Sequence, residues 1–189
     1  MNNEKKIIIN HNNTPSIPMK NTLDHHYLTK FVVAGALAFF VGSIHGVLQV
    51  QPDIRAWLDS IGSPYGGPGH MIDPLAHAHI NLIGGVTIVI IAVSYYLLTI
   101  IPNKPLPYPR LANFSFWTTT IGIYSFYASL VGFGIWEGQL LLANSDDLEQ
   151  VHSDITKPFL LTTAMIMGIG LWSYMLNIAL TVIKNKKTQ

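Results

Sequence analysis

Three histidines and one glutamate lie inside long apolar stretches of the sequence, where an ionisable side chain needs a physical reason. His45 lies near the end of the first stretch, His77 and His79 near the start of the second, and Glu137 near the end of the third. Because successive transmembrane helices run in opposite directions, all four residues are predicted at a similar depth near one face. Intramembrane ionisable groups are costly and commonly mark ligand sites or proton paths. One such residue alone is more often an interfacial side chain reaching water, but four in one layer predict a site.

His77 and His79 are the most informative pair. Residues two apart on a helix differ by about 200° around its axis, so the two rings cannot bind one metal ion together. The i, i+4 histidine pair of a zinc site is missing, and the sequence contains no cysteine. Neutral imidazole is a good axial ligand for haem iron, and Gly46, Gly84 and Gly85 leave room for a flat macrocycle. The alternative is that each ring bonds a facing carbonyl within the bundle.

Composition predicts the elements that must position these residues. Only 11% of the 189 residues are charged and 49% are hydrophobic, whereas a soluble domain is about 25% charged. Four stretches contain no Asp, Glu, Lys or Arg except Glu137, and each is long enough to cross a ~30 Å hydrocarbon core. These stretches are 31–50, 75–101, 114–143 and 159–183. The sequence therefore predicts an all-α membrane protein, a four-transmembrane-helix bundle in the lipid bilayer. It has no basic surface with interleaved aromatic residues, so no nucleic-acid partner is expected.

The basic residues predict the orientation of the helices. Nine of the eleven Lys and Arg residues fall in the N-terminal segment, the loop after the second stretch and the C-terminal segment. By the positive-inside rule, these three segments are cytoplasmic. We accordingly expect a cytoplasmic tail over 1–27, in which Asp24 caps the first helix, a transmembrane domain over 28–184 and a cytoplasmic tail over 185–189. The first residues lack the apolar core of a signal peptide.

The two outer connections differ in composition. The first, 51–74, is predicted to contain a short interfacial helix over 52–61 and an irregular stretch, rich in Pro and Gly, over 63–69. The second, 144–157, is short and acidic, and Pro158 suits the first turn of the helix that follows. Four prolines in the cytoplasmic connection predict a tight link between antiparallel helices.

A family resemblance extends this interpretation. The run 77–84, His-Ala-His-Ile-Asn-Leu-Ile-Gly, followed by a Tyr-Tyr-Leu at 95–97 and by Pro102, resembles helix II of the haem-copper oxidase large subunit. The nitric oxide reductase and cbb3-type cytochrome c oxidase branches are the most similar. A His-x-Asn-Leu motif supplies a low-spin haem ligand there, so the resemblance implies that His79 binds haem b. The later apolar stretches are similar to helices III and IV, and together the resemblance to helices I–IV covers 28–184. It also implies a bacterial or archaeal cytoplasmic membrane.

The resemblance also implies how haem would be held. The family takes its second low-spin haem ligand and the ligands of its second metal from later helices, so we do not expect this chain alone to reduce dioxygen. The family fold is a pseudo-threefold ring of four-helix arcs, and this chain is similar to one arc. We therefore expect a homo-oligomer, preferably a trimer, in which His79 of one subunit and His77 of the next are axial ligands of one haem. The rival expectation is a self-contained site that pairs His79 with His45.

Other residues are candidates of lower rank. Arg55 can pair with a haem propionate or simply be an exposed charge. Glu137 can relay protons or support a haem ligand from outside its coordination sphere. His70 and His152 are predicted in outer loops, where a solvated histidine is the usual case. His25 and His26 precede the first helix and are assigned no role.

Three classes of function follow from these expectations. The first is a b-type haem protein that transfers electrons with a redox partner or binds a small gas such as nitric oxide or dioxygen. The second is a haem or metal reductase subunit with its site on the outer face. The third is a non-haem accessory scaffold of a respiratory oxidase.

Overall fold

The computed structural model describes residues 25–186. Residues 1–24 and 187–189, and with them the predicted cap at Asp24 and nearly all of the two predicted tails, lie outside the described part. Within it every element is helical, which confirms the predicted all-α class. The helices are α1 His26–Gln49, α2 Pro52–Ser60, α3 Gly67–Ile100, α4 Pro109–Leu142 and α5 Asp147–Lys186.

Three of these helices are long and apolar enough to cross a membrane: α1, α3 and α5. This finding indicates an integral membrane protein. α4 has 34 residues and, at 1.5 Å per residue, is longer than the hydrocarbon core is thick. α4 is not among the helices that are apolar enough to cross, because Ser, Thr and Tyr residues and Glu137 lower its mean hydropathy. A fourth transmembrane helix stays a prediction.

The two connections predicted to be outer each differ from the prediction. The irregular stretch expected over 63–69 is wrong for its last residues, because α3 already begins at Gly67. α2 confirms the short helix expected over 52–61. The acidic loop expected over 144–157 is wrong for most of its length, because α5 already begins at Asp147. The chain stays helical through Pro158 because a π-helical turn over His152–Thr156 directly precedes it. Such a turn accommodates a proline, which has no N–H to donate to the preceding turn.

The entry into α3 is bent. Asp73 has an extended backbone, with φ −133° and ψ 114°, and it precedes Pro74. Proline disfavours the helical conformation of the residue before it, so the first turn, Gly67–His70, meets the rest of α3 at an angle. The bend lies within a π-helical stretch over Met71–Ala76, and another such stretch covers Ile80–Thr87. His77 and His79 lie between these two irregularities.

Small residues bring the helices together. A Cβ at Gly46 of α1 would lie 2.9 Å from Cε1 of His77 in α3, and a Cβ at Gly42 would collide with the Asn81 amide. α4 approaches α5 equally closely at Gly122, where an added Cβ would lie 2.6 Å from Cα of Met167. Helices in lipid associate through such close packing, since lipid tails supply no hydrophobic driving force between them. His77 is therefore held against α1.

The largest apolar cluster lies in the half of the bundle away from His45, His77 and Glu137, which we call the inner half after the predicted orientation, and two smaller clusters lie in the other, outer half. Buried Phe31, Tyr95 and Phe116 join α1, α3 and α4 in the largest cluster. The side-chain amide of Asn177, which is fully buried, donates to the Tyr108 carbonyl at 3.1 Å and to the Tyr95 hydroxyl at 3.3 Å. The ionisable residues of the outer half thus sit on a tightly packed apolar base.

Candidate functional site

His79 lies on α3 with its ring orientation fixed by the helix itself. Its Nδ1 is 2.8 Å from the carbonyl oxygen of Leu75, one turn earlier. A carbonyl only accepts, so Nδ1 carries the proton and donates, and Nε2 of the neutral ring keeps its lone pair. Within residues 25–186 no group forms a hydrogen bond with this Nε2. The ring also packs edge-on against Phe126 of α4, with centroids 5.1 Å apart, so His79 is a half-buried ring with a free lone pair.

His77 contacts a different helix. Its ring lies edge-on to His45 of α1, with centroids 5.6 Å apart. The Asn81 amide donates to the His77 backbone carbonyl at 2.9 Å and is 3.5 Å from Nδ1. The second distance is at the outer limit of a hydrogen bond, so it does not fix the tautomer of His77. The two rings of the pair thus face different neighbours, as the helical angle predicts.

His45 is buried at the outer end of α1, with 7% of its surface exposed. Its Nδ1 shares a hydrogen bond of 3.1 Å with the hydroxyl of Tyr127 in α4. The sequence alternative pairs His45 with His79. The structure brings His45 together with His77 instead and leaves the ring of His79 against α4. His45 also lines a cavity between α1, α2 and α4.

Glu137 is almost completely buried, with 2% exposed. Its two carboxylate oxygens lie 3.0 and 3.1 Å from Nδ1 of His152. A carboxylate only accepts, so Nδ1 of His152 is the donor. The expectation that His152 is a solvated loop residue is therefore wrong, because α5 begins before it and turns its ring towards α4. No local pattern in the sequence signals this contact, because an acidic stretch before a proline is equally typical of a loop.

Arg55 is not a free charge. Its guanidinium donates to Asp59, to Asp73 at 2.5 Å and to the Ser63 hydroxyl at 2.7 Å. The hydrogen bonds to Asp59, and secondly to Asp73, raise the pKa of Arg55 above its ordinary value. Asp73 is 9% exposed, so this ion pair ties α2 to the bend of α3. A haem propionate would have to compete with two carboxylates for this arginine.

His70 lies in the first turn of α3 and is half-buried. Its Nδ1 donates to the Pro64 carbonyl at 2.5 Å. The expectation that His70 is a solvated loop residue is therefore wrong, because this hydrogen bond ties its ring to the connection between α2 and α3. Across residues 25–186 there is no group of three or more His, Asp or Glu side chains arranged to hold a metal ion. The histidines of the outer half instead act singly or in pairs.

No family model, curated protein or solved structure matches the chain.

Proposed function

We propose that this chain is a membrane-embedded b-type haem protein in which His79 is the first axial ligand. The observation that carries the proposal is the hydrogen bond from Nδ1 of His79 to the Leu75 carbonyl. Histidines that bind metals almost always donate their other ring N–H to a carbonyl, carboxylate or water, because this fixes the tautomer and the ring direction. His79 has this arrangement, and its Nε2 has no hydrogen-bond partner in the described residues.

The second axial ligand is proposed to come from another copy of the chain. His77 and His79 contact different helices of their own subunit, so one iron cannot take both from one chain. A homo-oligomer, preferably a trimer, pairs His79 of one subunit with His77 of the next. The single-bundle rival with His45 is less well supported, since the ring of His45 contacts that of His77, whereas the ring of His79 packs against Phe126 of α4.

The protein residues would then hold, orient and shield the haem. The backbone carbonyl of Leu75 keeps Nε2 of His79 pointed away from its own helix turn, and Phe126 limits rotation of the ring. When bound, haem supplies a one-electron couple and, with one axial position open, a site for nitric oxide or dioxygen. Glu137 is proposed to support proton movement in the same layer, with His152 as its partner. A four-span topology with cytoplasmic termini belongs to this proposal.

The first test is a reduced-minus-oxidised absorption spectrum with haem quantified per polypeptide. We expect sharp low-spin b-type bands in the wild type, loss of these bands in His79→Ala and His77→Ala, and unchanged bands in His26→Ala, a control at the exposed opposite end of α1. Added imidazole should restore a low-spin spectrum to His79→Ala, which separates ligand loss from misfolding.

Three outcomes would count against parts of the proposal. A colourless wild type with adequate haem supply would exclude the cytochrome and favour the accessory scaffold. Loss of the bands in His45→Ala but not in His77→Ala would favour the single-bundle site. Pigment in a proven monomer, or far fewer haems than subunits in native mass spectrometry, would exclude the inter-subunit arrangement.

A further inference from the structure

A cavity of about 440 Å³ lies between α1, α2 and α4 at the outer end of the bundle. Its walls are mainly apolar side chains, among them Ile44, Leu48, Trp57 and Val131. An engineered apolar cavity of about 150 Å³ already binds benzene, so this one has room for a longer apolar group. Protein interiors are otherwise close-packed, with few voids larger than a water molecule. A space of this size therefore needs an occupant.

The polar groups of the wall favour an apolar occupant. Oε1 of Gln49 has less than 1 Å² of accessible surface, so nothing in the cavity can bond it. Nδ1 of His45 and the hydroxyl of Tyr127 already share a hydrogen bond of 3.1 Å. Among the described residues, no Asp, Glu, Lys or Arg lines the cavity. A charged or strongly polar guest would lose its hydration there without gaining partners, which costs free energy.

The rim of the cavity faces the membrane. Ile44 and Leu48 of α1 and Ile135 of α4 line the cavity and are 46%, 49% and 41% exposed. α1 is apolar enough to span a membrane, so its exposed apolar side chains meet lipid. On the water side α2 covers the cavity with Trp57 and with Leu58, which is only 1% exposed. A tryptophan on a short helix is typical of the membrane–water interface. The apolar groups next to the rim are therefore lipid acyl chains.

We propose that this cavity binds one acyl chain of a phospholipid, which enters between Ile44 and Ile135 and packs against Val131 beneath α2. The chain supplies the van der Waals contacts that the lining of an empty cavity lacks. The chain and not the headgroup is recognised, because Arg55 of α2 is already held by two carboxylates. The inference does not depend on haem, because neither His77 nor His79 lines the cavity.

Trp57 can report the occupant directly, because bromine on an acyl chain quenches the fluorescence of an indole that it touches. The full chain has four tryptophans, so Trp117→Phe, Trp136→Phe and Trp172→Phe together leave Trp57 as the only reporter. This protein is titrated in detergent micelles with phosphatidylcholine brominated on its chains. We expect quenching that saturates at a low mole fraction of lipid. Dodecane, a chain without a headgroup, should compete and restore the fluorescence.

Two cavity-filling variants and one control identify the site. Val131→Phe and Val41→Phe fill the cavity from different helices, and each should abolish the saturable quenching while circular dichroism shows unchanged helix content. Two fillers keep the test valid if one of them misfolds. Val47→Phe is the matched control, since Val47 is 61% exposed on α1 and does not line the cavity.

Three outcomes would overturn the inference. The first is quenching that rises only in proportion to the added lipid, and the second is saturable quenching that survives in both filled variants. The third is quenching that dodecane leaves unchanged, which would show that the headgroup is recognised. Titration in a His79→Ala background separates the two proposals, since saturable quenching should persist there even when the haem bands are lost.

Discussion

The histidines of the outer half differ in what occupies Nδ1. In His79 and His70 this nitrogen donates to a backbone carbonyl, in His152 it donates to a carboxylate, and in His45 it shares a hydrogen bond with a tyrosine hydroxyl. The chemistry left to Nε2 differs accordingly. His79 and His70 both have a fixed tautomer, but His70 precedes the bend at Asp73, whereas His79 follows it and lies within the apolar stretch 75–101. The haem proposal therefore begins at His79.

The hydrogen bond between His152 and Glu137 gives the first prediction, which concerns single residues. His152→Ala leaves a buried carboxylate without its imidazole donor, and this loss should reduce the free energy of unfolding by about 1–3 kcal/mol. Gln150→Ala, an exposed change two residues before His152 on α5, should have little effect. The measurement is reversible unfolding in mixed detergent micelles.

A double-mutant cycle checks the cause of that change. In a Glu137→Gln background the cost of His152→Ala should shrink, because the charged acceptor is gone. Equal costs in both backgrounds would show that the imidazole stabilises α5 by packing alone.

At the scale of elements, proline has opposite outcomes in α3 and α5. Asp73 before Pro74 takes an extended backbone and bends α3, whereas α5 passes Pro158 after a π-helical turn over His152–Thr156. The bend lets Asp73 reach Arg55, and the π-helical turn covers the residue that reaches Glu137. Each irregularity thus accompanies a polar contact of the outer layer.

Close packing of α4 on α5 gives the second prediction. Gly122→Ala places a methyl group 2.6 Å from Cα of Met167, and because the obstacle is backbone the helices must separate. We expect a loss of about 1–3 kcal/mol in the free energy of unfolding. Gly132→Ala on the same helix is the control, since its added methyl group meets nothing within 4 Å and alanine favours helix. Similar stabilities of the two variants would contradict the packing argument.

At the scale of the whole molecule, the arrangement in a membrane depends on α4. The other three long helices are apolar enough to cross by themselves, but α4 carries more polar groups, several of them bonded to neighbouring helices. Tyr124 donates to the Ala34 carbonyl of α1 at 3.0 Å, and Ser115 donates to the Gly170 carbonyl of α5 at 2.9 Å. A polar helix is acceptable in lipid when its polar groups are satisfied by its neighbours.

Topology gives the third prediction. The chain has no cysteine, so a single introduced thiol reports one position. Pro105→Cys and Ala143→Cys flank α4 at exposed sites. A membrane-impermeant maleimide added to intact cells should label residue 143 but label residue 105 only after lysis. Labelling of both from one side would mean that α4 does not cross, and the reverse pattern would overturn the predicted orientation.

The sequence by itself determined the helical class, the apolar stretches within α1, α3 and α5, and the short α2. These features follow from local properties, namely runs of apolar residues and proline at a helix start. It also singled out His45, His77, His79 and Glu137, because an ionisable residue in an apolar run is visible without any structure. The spacing of two residues between His77 and His79 further predicted that these two rings face different neighbours.

Only the tertiary structure decided what each of these residues contacts. His152 reaches Glu137 because α5 begins at Asp147, and no local pattern marks that start, since an acidic stretch before a proline is equally typical of a loop. His45 meets His77 because Gly46 lets α1 approach α3. Such contacts depend on the relative positions of helices far apart in the chain, which residue types and spacing do not specify.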